Sequence, residues 1–151
     1  PRNESFPPSG NIDITRIGDF TPGLGTDYAA LIETTLVAVY TYSKEFTRQT
    51  GETLYVTGGA RNSREILRRI AAIWNRPVTP IETGGAALGA AVAGAIGYYR
   101  SEGKGGDILE SFGLLEEDLT IHPRPDDVEA VHKEGGFLER YVKEEATLLF
   151  R

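Results

Sequence analysis

"LYVTGGARNS", residues 54–63, carries an apolar, β-prone segment straight into two glycines and then into residues able to open a helix. A plain strand-to-helix connection needs at most one glycine. Two in succession call for positive φ, or for close approach by something else, whether a ligand or the following helix. The sequence on either side says what kind of fold holds such a junction.

"TLYVT" (53–57) is short, β-branched and aromatic, which predicts a buried strand. Downstream, Asn62 or Ser63 can cap a helix with an apolar face of Ile66, Leu67, Ile70, Ile73 and Trp74. Its wet face is Arg64, Glu65, Arg68 and Arg69, and Pro77 shuts it off. "PVTPIE" (77–82) predicts a second strand. A third helix from about Gly85 to Arg100 is small on every side, with Gly89, Gly94 and Gly97 among its alanines. Each helical glycine costs roughly 1 kcal/mol relative to alanine, so close backbone packing and deep burial are expected for it.

Upstream, a long helix is expected to start near Thr26, with Asp27 in its first turn. Tyr28, Leu31, Ile32, Leu36, Val39 and Phe46 form its apolar stripe, and Gly51 ends it. The order helix–strand–helix–strand–helix implies an α/β fold with parallel strands joined by right-handed crossovers. Ligands in such folds sit beyond the carboxyl ends of the strands, where Gly58 and Gly59 lie.

Around this core (26–103) the sequence changes character. Residues 1–25 hold Pro7, Pro8, Gly10, Gly18, Pro22, Gly23 and Gly25 around the alternating "NIDITRI", an edge-strand remnant. After the loop "EGKGG" (102–106), residues 104–151 are charged and predict surface helices of the same domain. The chain has 151 residues, 40% hydrophobic and 25% charged, enough for one globular core. It begins at Pro1 and contains no methionine, so a domain cut from a longer protein is expected.

Composition narrows the chemistry. Absence of cysteine excludes disulfides, thiolate metal sites and cysteine nucleophiles. His122 and His132 are the only imidazoles, and no metal site is expected from them. A net charge of −6, with no basic stripe, argues against a nucleic-acid partner. No secretory signal opens the chain, and the uncharged run 83–99 is too short and too rich in Ala and Gly to span a bilayer. A cytoplasmic protein without a membrane partner is the expectation.

No Walker motif G-x-x-x-x-G-K-[ST] and no G-x-G-x-x-G is present. The paired glycines therefore stay open between a tight turn and a phosphate or nucleoside site. Asn62 is open in the same way: its amide suits local turn bonding or recognition of a heterocycle or ribose. Ser63 sits where a cap belongs, and no neighbouring base could activate it as a nucleophile. Glu33, inside an apolar stripe, is expected to be half-exposed or bonded. Asp126–Asp127 and Glu144–Glu145 read as solvated charge.

Taken together, "ALIETTLVAVY", "LYVTGGARNSREILRRIAAIWNRPV" and "ETGGAALGAAVAGAIGYY" resemble the C-terminal domain of the FGGY family of carbohydrate kinases. That family includes xylulokinase, glycerol kinase and rhamnulokinase-like enzymes. The likeness covers roughly residues 18–103 and rests on the combination: a strand into G-G-A-x-N, a helix with Trp, Pro-Val, then A-A-L-G-A-A. It implies a ribonuclease H-like, actin-like ATPase domain, incomplete at its N-terminal strands. It further implies that Gly58, Gly59 and Ala60 lie against the base and ribose of ATP, with Asn62 near the adenine. The helix from Ala86 would sit at the interface of two lobes.

The implied activity is transfer of the ATP γ-phosphate to a carbohydrate hydroxyl, with ATP/ADP and a sugar as partners. Mg²⁺ would be held mainly by the other domain and by the ATP phosphates. The D-x-G-T hairpin and the aspartate base of the family belong to the N-terminal domain and are not in this sequence, so no catalytic residue is assigned here. Gly84 and Gly85 also stand where the family usually has an acidic or polar residue and Ala. Two other readings stay open: a non-catalytic nucleotide-sensing or interaction module, and another actin-like superfamily ATPase. Apolar surface left where further strands would pair is a route to homo-oligomers.

Overall fold

The computed structural model describes residues 16–18, 21–47, 53–81, 85–103 and 117–149. Its elements run α1 (Leu24–Thr47), β1 (Leu54–Val56), a 3₁₀ turn (Gly59–Asn62), α2 (Arg64–Trp74), β2 (Val78–Pro80) and α3 (Gly85–Ser101). A short 3₁₀ turn (Glu117–Leu119), α4 (Pro125–His132) and α5 (Phe137–Leu149) follow. The expected alternation of helices and strands is present.

The two strands pair in parallel, Leu54 with Val78, Tyr55 with Thr79 and Val56 with Pro80. The Leu54 amide donates to the Pro77 carbonyl and the Ile81 amide to the Val56 carbonyl, each at 2.9 Å. β2 is buried throughout, whereas β1 is only half-buried and Tyr55 faces outward. The expectation of a buried first strand is corrected, because among the described residues β1 has a strand neighbour on one side only. β2 has a second neighbour in an antiparallel bridge, with Val78 and Ile121 exchanging amide–carbonyl bonds of 2.9 and 2.8 Å. The Thr79 hydroxyl is buried and lies 2.7 Å from that of Thr120. A buried hydroxyl is thereby satisfied.

α2 is the centre of the packing. Ser63 caps it as expected, its Oγ accepting from the Ile66 amide at 3.3 Å. Leu67, Ile70, Ala71, Ala72 and Ile73 are buried, and Ile66 and Trp74 pack at the margin. Burial of each large aliphatic side chain contributes about 1.5–3 kcal/mol. Asn75 ends the helix in the left-handed conformation (φ 49°, ψ 48°), which asparagine tolerates better than most residues.

α1 crosses α2 through its second half, where Val37 and Ala38 are buried and Leu36 meets the core. It starts at Leu24, ahead of Thr26, and the predicted stripe is covered only in part. Tyr28 and Leu31 are exposed, and the buried residues of α1, Val37 and Ala38, lie in its second half. The Phe46 side chain, Gly51 and residues 11–15 of the "NIDITRI" strand fall outside the described residues, while Arg16 and Ile17 of that stretch are in no strand. Glu33 is bonded as anticipated, to Arg69 at 3.0 Å.

α3 overturns the expectation of deep burial. Ala87, Gly89, Ala90, Ala91, Ala93, Gly94 and Gly97 are exposed, and a Cβ built on Gly89, Gly94 or Gly97 would meet nothing within 4 Å. Small residues report how closely a partner approaches, not whether the same stretch of chain provides it. Among the described residues no element packs extensively along this helix, and Leu88, Val92, Ala95 and Ile96 are only half-buried.

α4 lies on α2, and α5 on α4 and α1. Two acidic residues that read as solvated charge prove to be structural. Asp127 accepts a fork from Arg68, Nε to Oδ2 at 2.8 Å and Nη2 to Oδ1 at 3.1 Å, with its side chain 18% exposed. Glu145 accepts from Tyr42 at 2.9 Å and from Tyr141 at 2.6 Å, joining α1 to α5. Burial, then the bond to Glu145, pushes the Tyr141 phenol above its usual range. Tyr40 stands edge-on to Trp74 and to His132, while His132 Nε2 lies 3.0 Å from the Ile73 carbonyl. No described helix is long and apolar enough to cross a membrane.

The Arg68 fork holds the Asp127 carboxyl below the ordinary carboxylate range, with Arg124 and Arg69 adding to it. A carboxylate with a depressed folded pKa contributes stability that is complete above its unfolded pKa and is lost as pH falls through the folded one. Asp127→Asn is therefore expected to destabilise the fold near neutral pH and to flatten the loss of stability below about pH 4. Denaturant melts of both proteins across that range would measure it; parallel curves would remove Asp127 from the account.

Candidate functional site

Parallel pairing has a geometric consequence: β1 and β2 end on the same side of the sheet. The chain leaves β1 for α2 and β2 for α3 from that side. The first junction is fully described, and residues 82–84 of the second lie outside the described residues, with α3 beginning at Gly85.

Gly58 follows the end of β1 with φ 77° and ψ −158°, a conformation essentially confined to glycine. Its carbonyl accepts from the Arg61 amide at 3.3 Å, and the Ala60 carbonyl accepts from the Ser63 amide at 3.2 Å, which forms the 3₁₀ turn. Gly59 opens that turn without positive φ. Both glycines are exposed, and a Cβ on either would meet nothing within 4 Å among the described residues. Ala60 is half-buried, and Asn62 is exposed at the end of the turn, beside the Ser63 cap. One turn thus brings Gly58, Gly59, Ala60 and Asn62 together at a strand end.

The question raised by the paired glycines receives two answers. Gly58 is required by its own backbone. Gly59 is not: its conformation admits any residue, and no atom of the described residues crowds it. Among the described residues the Asn62 side chain has no hydrogen-bond partner, so local turn bonding does not account for it. The turn offers bare backbone and a carboxamide beside a capped helix N-terminus, a surface suited to a flat, polar-edged ligand.

Arg61 belongs to this junction although no motif singles it out. Its Nη1 donates to the Ile81 carbonyl at 3.0 Å, reaching from the glycine turn to the end of β2. The signal in the sequence is modest: the single charge between Thr57 and Ser63.

The profile of the FGGY family of carbohydrate kinases, C-terminal domain, matches residues 14–98. The chain belongs to the FGGY family of carbohydrate kinases, as part of its C-terminal domain. Among solved structures it is similar to a ligand-bound xylulose kinase from Lactobacillus acidophilus, with a TM-score of 0.57 and 21% sequence identity. The likeness covers 79% of this chain and 24% of that one, so the chain spans about a quarter of that kinase's length. At that identity the similarity concerns the fold. No curated protein matches the chain in sequence.

The two glycines are expected to respond oppositely to one chemical change. Gly58→Ala should destabilise the fold by about 1–3 kcal/mol through backbone strain. Gly59→Ala should leave stability unchanged or raise it by about 0.4–1 kcal/mol, since the unfolded chain loses freedom and the folded one meets no obstacle. Equilibrium unfolding of the two variants would show it, and equal losses would mean that Gly59 is bare for an internal reason.

Proposed function

We propose that this chain is the ATP-binding part of a sugar kinase that transfers the ATP γ-phosphate to a carbohydrate hydroxyl. The base and ribose rest on Gly58, Gly59 and Ala60, and the Asn62 carboxamide recognises the adenine. The observation that carries the reading is Gly59, a glycine that neither its own φ nor, among the described residues, any neighbouring atom requires. Family membership supplies the nucleotide, and the end-of-strand position supplies the place.

In this reading the ribonuclease H-like, actin-like architecture is completed by chain outside these residues. Phosphoryl transfer needs a positioned Mg²⁺, clamped phosphates and a base. Among the described residues no group of three or more His, Asp or Glu side chains could hold a metal ion. As a proposal from the family alone, Mg²⁺ is assigned to the ATP phosphates and to the remainder of the kinase, as are the sugar contacts. The sugar itself is left unassigned.

Titration of ¹⁵N-labelled protein with ADP is the test. Shifts of the Gly58, Gly59 and Asn62 amides are expected at millimolar nucleotide; shifts confined to α4 and α5 would overturn the assignment. The 151-residue chain by itself is expected to phosphorylate no sugar in a coupled ADP-release assay. Robust turnover would show that the catalytic groups lie within it.

A further inference from the structure

We propose that Arg61 is a positioning residue, holding the glycine turn in register with the end of β2 so that the nucleoside meets a single preset surface. This inference rests on the nucleotide reading of the turn and adds to it the element that fixes the turn's place. The turn is joined to β1 through Gly58, whose backbone lacks the restraint that a side chain would give. Its internal bonds, Arg61 amide to Gly58 carbonyl and Ser63 amide to Ala60 carbonyl, shape the turn but reach no other element.

The Arg61 side chain does reach one. It is half-buried and donates to the Ile81 carbonyl, twenty residues along the chain, at 3.0 Å. Ile81 is itself fixed: it is buried and its amide donates to the Val56 carbonyl of β1. A cross-link therefore runs from β1 through the backbone to Ile81 and back through the guanidinium to the turn. The bond is charge-assisted, stronger than one between neutral groups, and the planar fork gives it direction. Ile81 directly follows β2, so the same bond ties the glycine turn to the end of that strand.

Arg61→Met keeps the aliphatic stem and removes the donor, while Arg61→Lys keeps a cation that can still reach a carbonyl. Amide hydrogen exchange without nucleotide, and ADP affinity by NMR where all variants are folded, are the two measurements. In Arg61→Met, exchange at Gly58–Asn62 should quicken and the ADP dissociation constant should rise about tenfold, with Arg61→Lys recovering part of both. A role in global stability alone would lower the melting temperature and leave the affinity of the folded protein untouched, which would overturn the proposal. So would turn amides that exchange as in the parent chain.

If ADP perturbs no turn amide even in the parent chain, the nucleotide reading fails, and the exchange measurement alone judges the tie. Should Arg61→Met fail to fold, Arg61→Lys decides: intermediate exchange and affinity support the tie, and equality with the parent chain overturns it.

Discussion

Burial of one face of α2 is the constraint on which the rest of the fold depends. Leu67, Ile70, Ala71 and Ile73 lie on that face, and α1, β2 and α4 gather around the helix. A two-stranded sheet of three-residue strands is marginal by itself. Here α2 seals it, and because α2 is capped by Ser63 immediately after the glycine turn, the core sets where that turn stands. Packing and candidate function are consecutive stretches of one segment: the strand feeds the turn, and the helix holds it.

Glycines give the molecule its second theme. A glycine whose φ is positive, such as Gly58, explains itself. Gly59 and the α3 glycines do not, since their conformations admit a side chain and the space above them is open among the described residues. For Gly59 the proposed occupant is a nucleoside. For α3 the small residues stand exposed among the described residues.

How much of this could be read from the sequence follows from the range of each interaction. The helix–strand order, the Ser63 cap and the buried face of α2 rest on contacts a few residues apart, so periodicity and capping rules find them. The same holds for the glycine turn. Asp127 and Glu145 look solvated in the sequence because their partners, Arg68 and Tyr42, lie 59 and 103 residues away. Nothing local in "PDD" or "KEEA" announces them. The covered part of α1 was also illegible in detail, for a stripe shows which residues prefer burial but not how far a neighbour extends. Arg61 escaped notice for a related reason: its acceptor is a backbone carbonyl, which carries no sequence signature.

The short bridge between Val78 and Ile121 changes how the chain should be divided. By composition the stretch after residue 103 looks like a polar appendage, yet its backbone continues the sheet along the free side of β2. The C-terminal third is thus stitched into the fabric of the core. A boundary drawn at residue 103 would strip β2 of its flank and take the α4 anchor from Arg68. Helices that look like outer cladding are part of the frame.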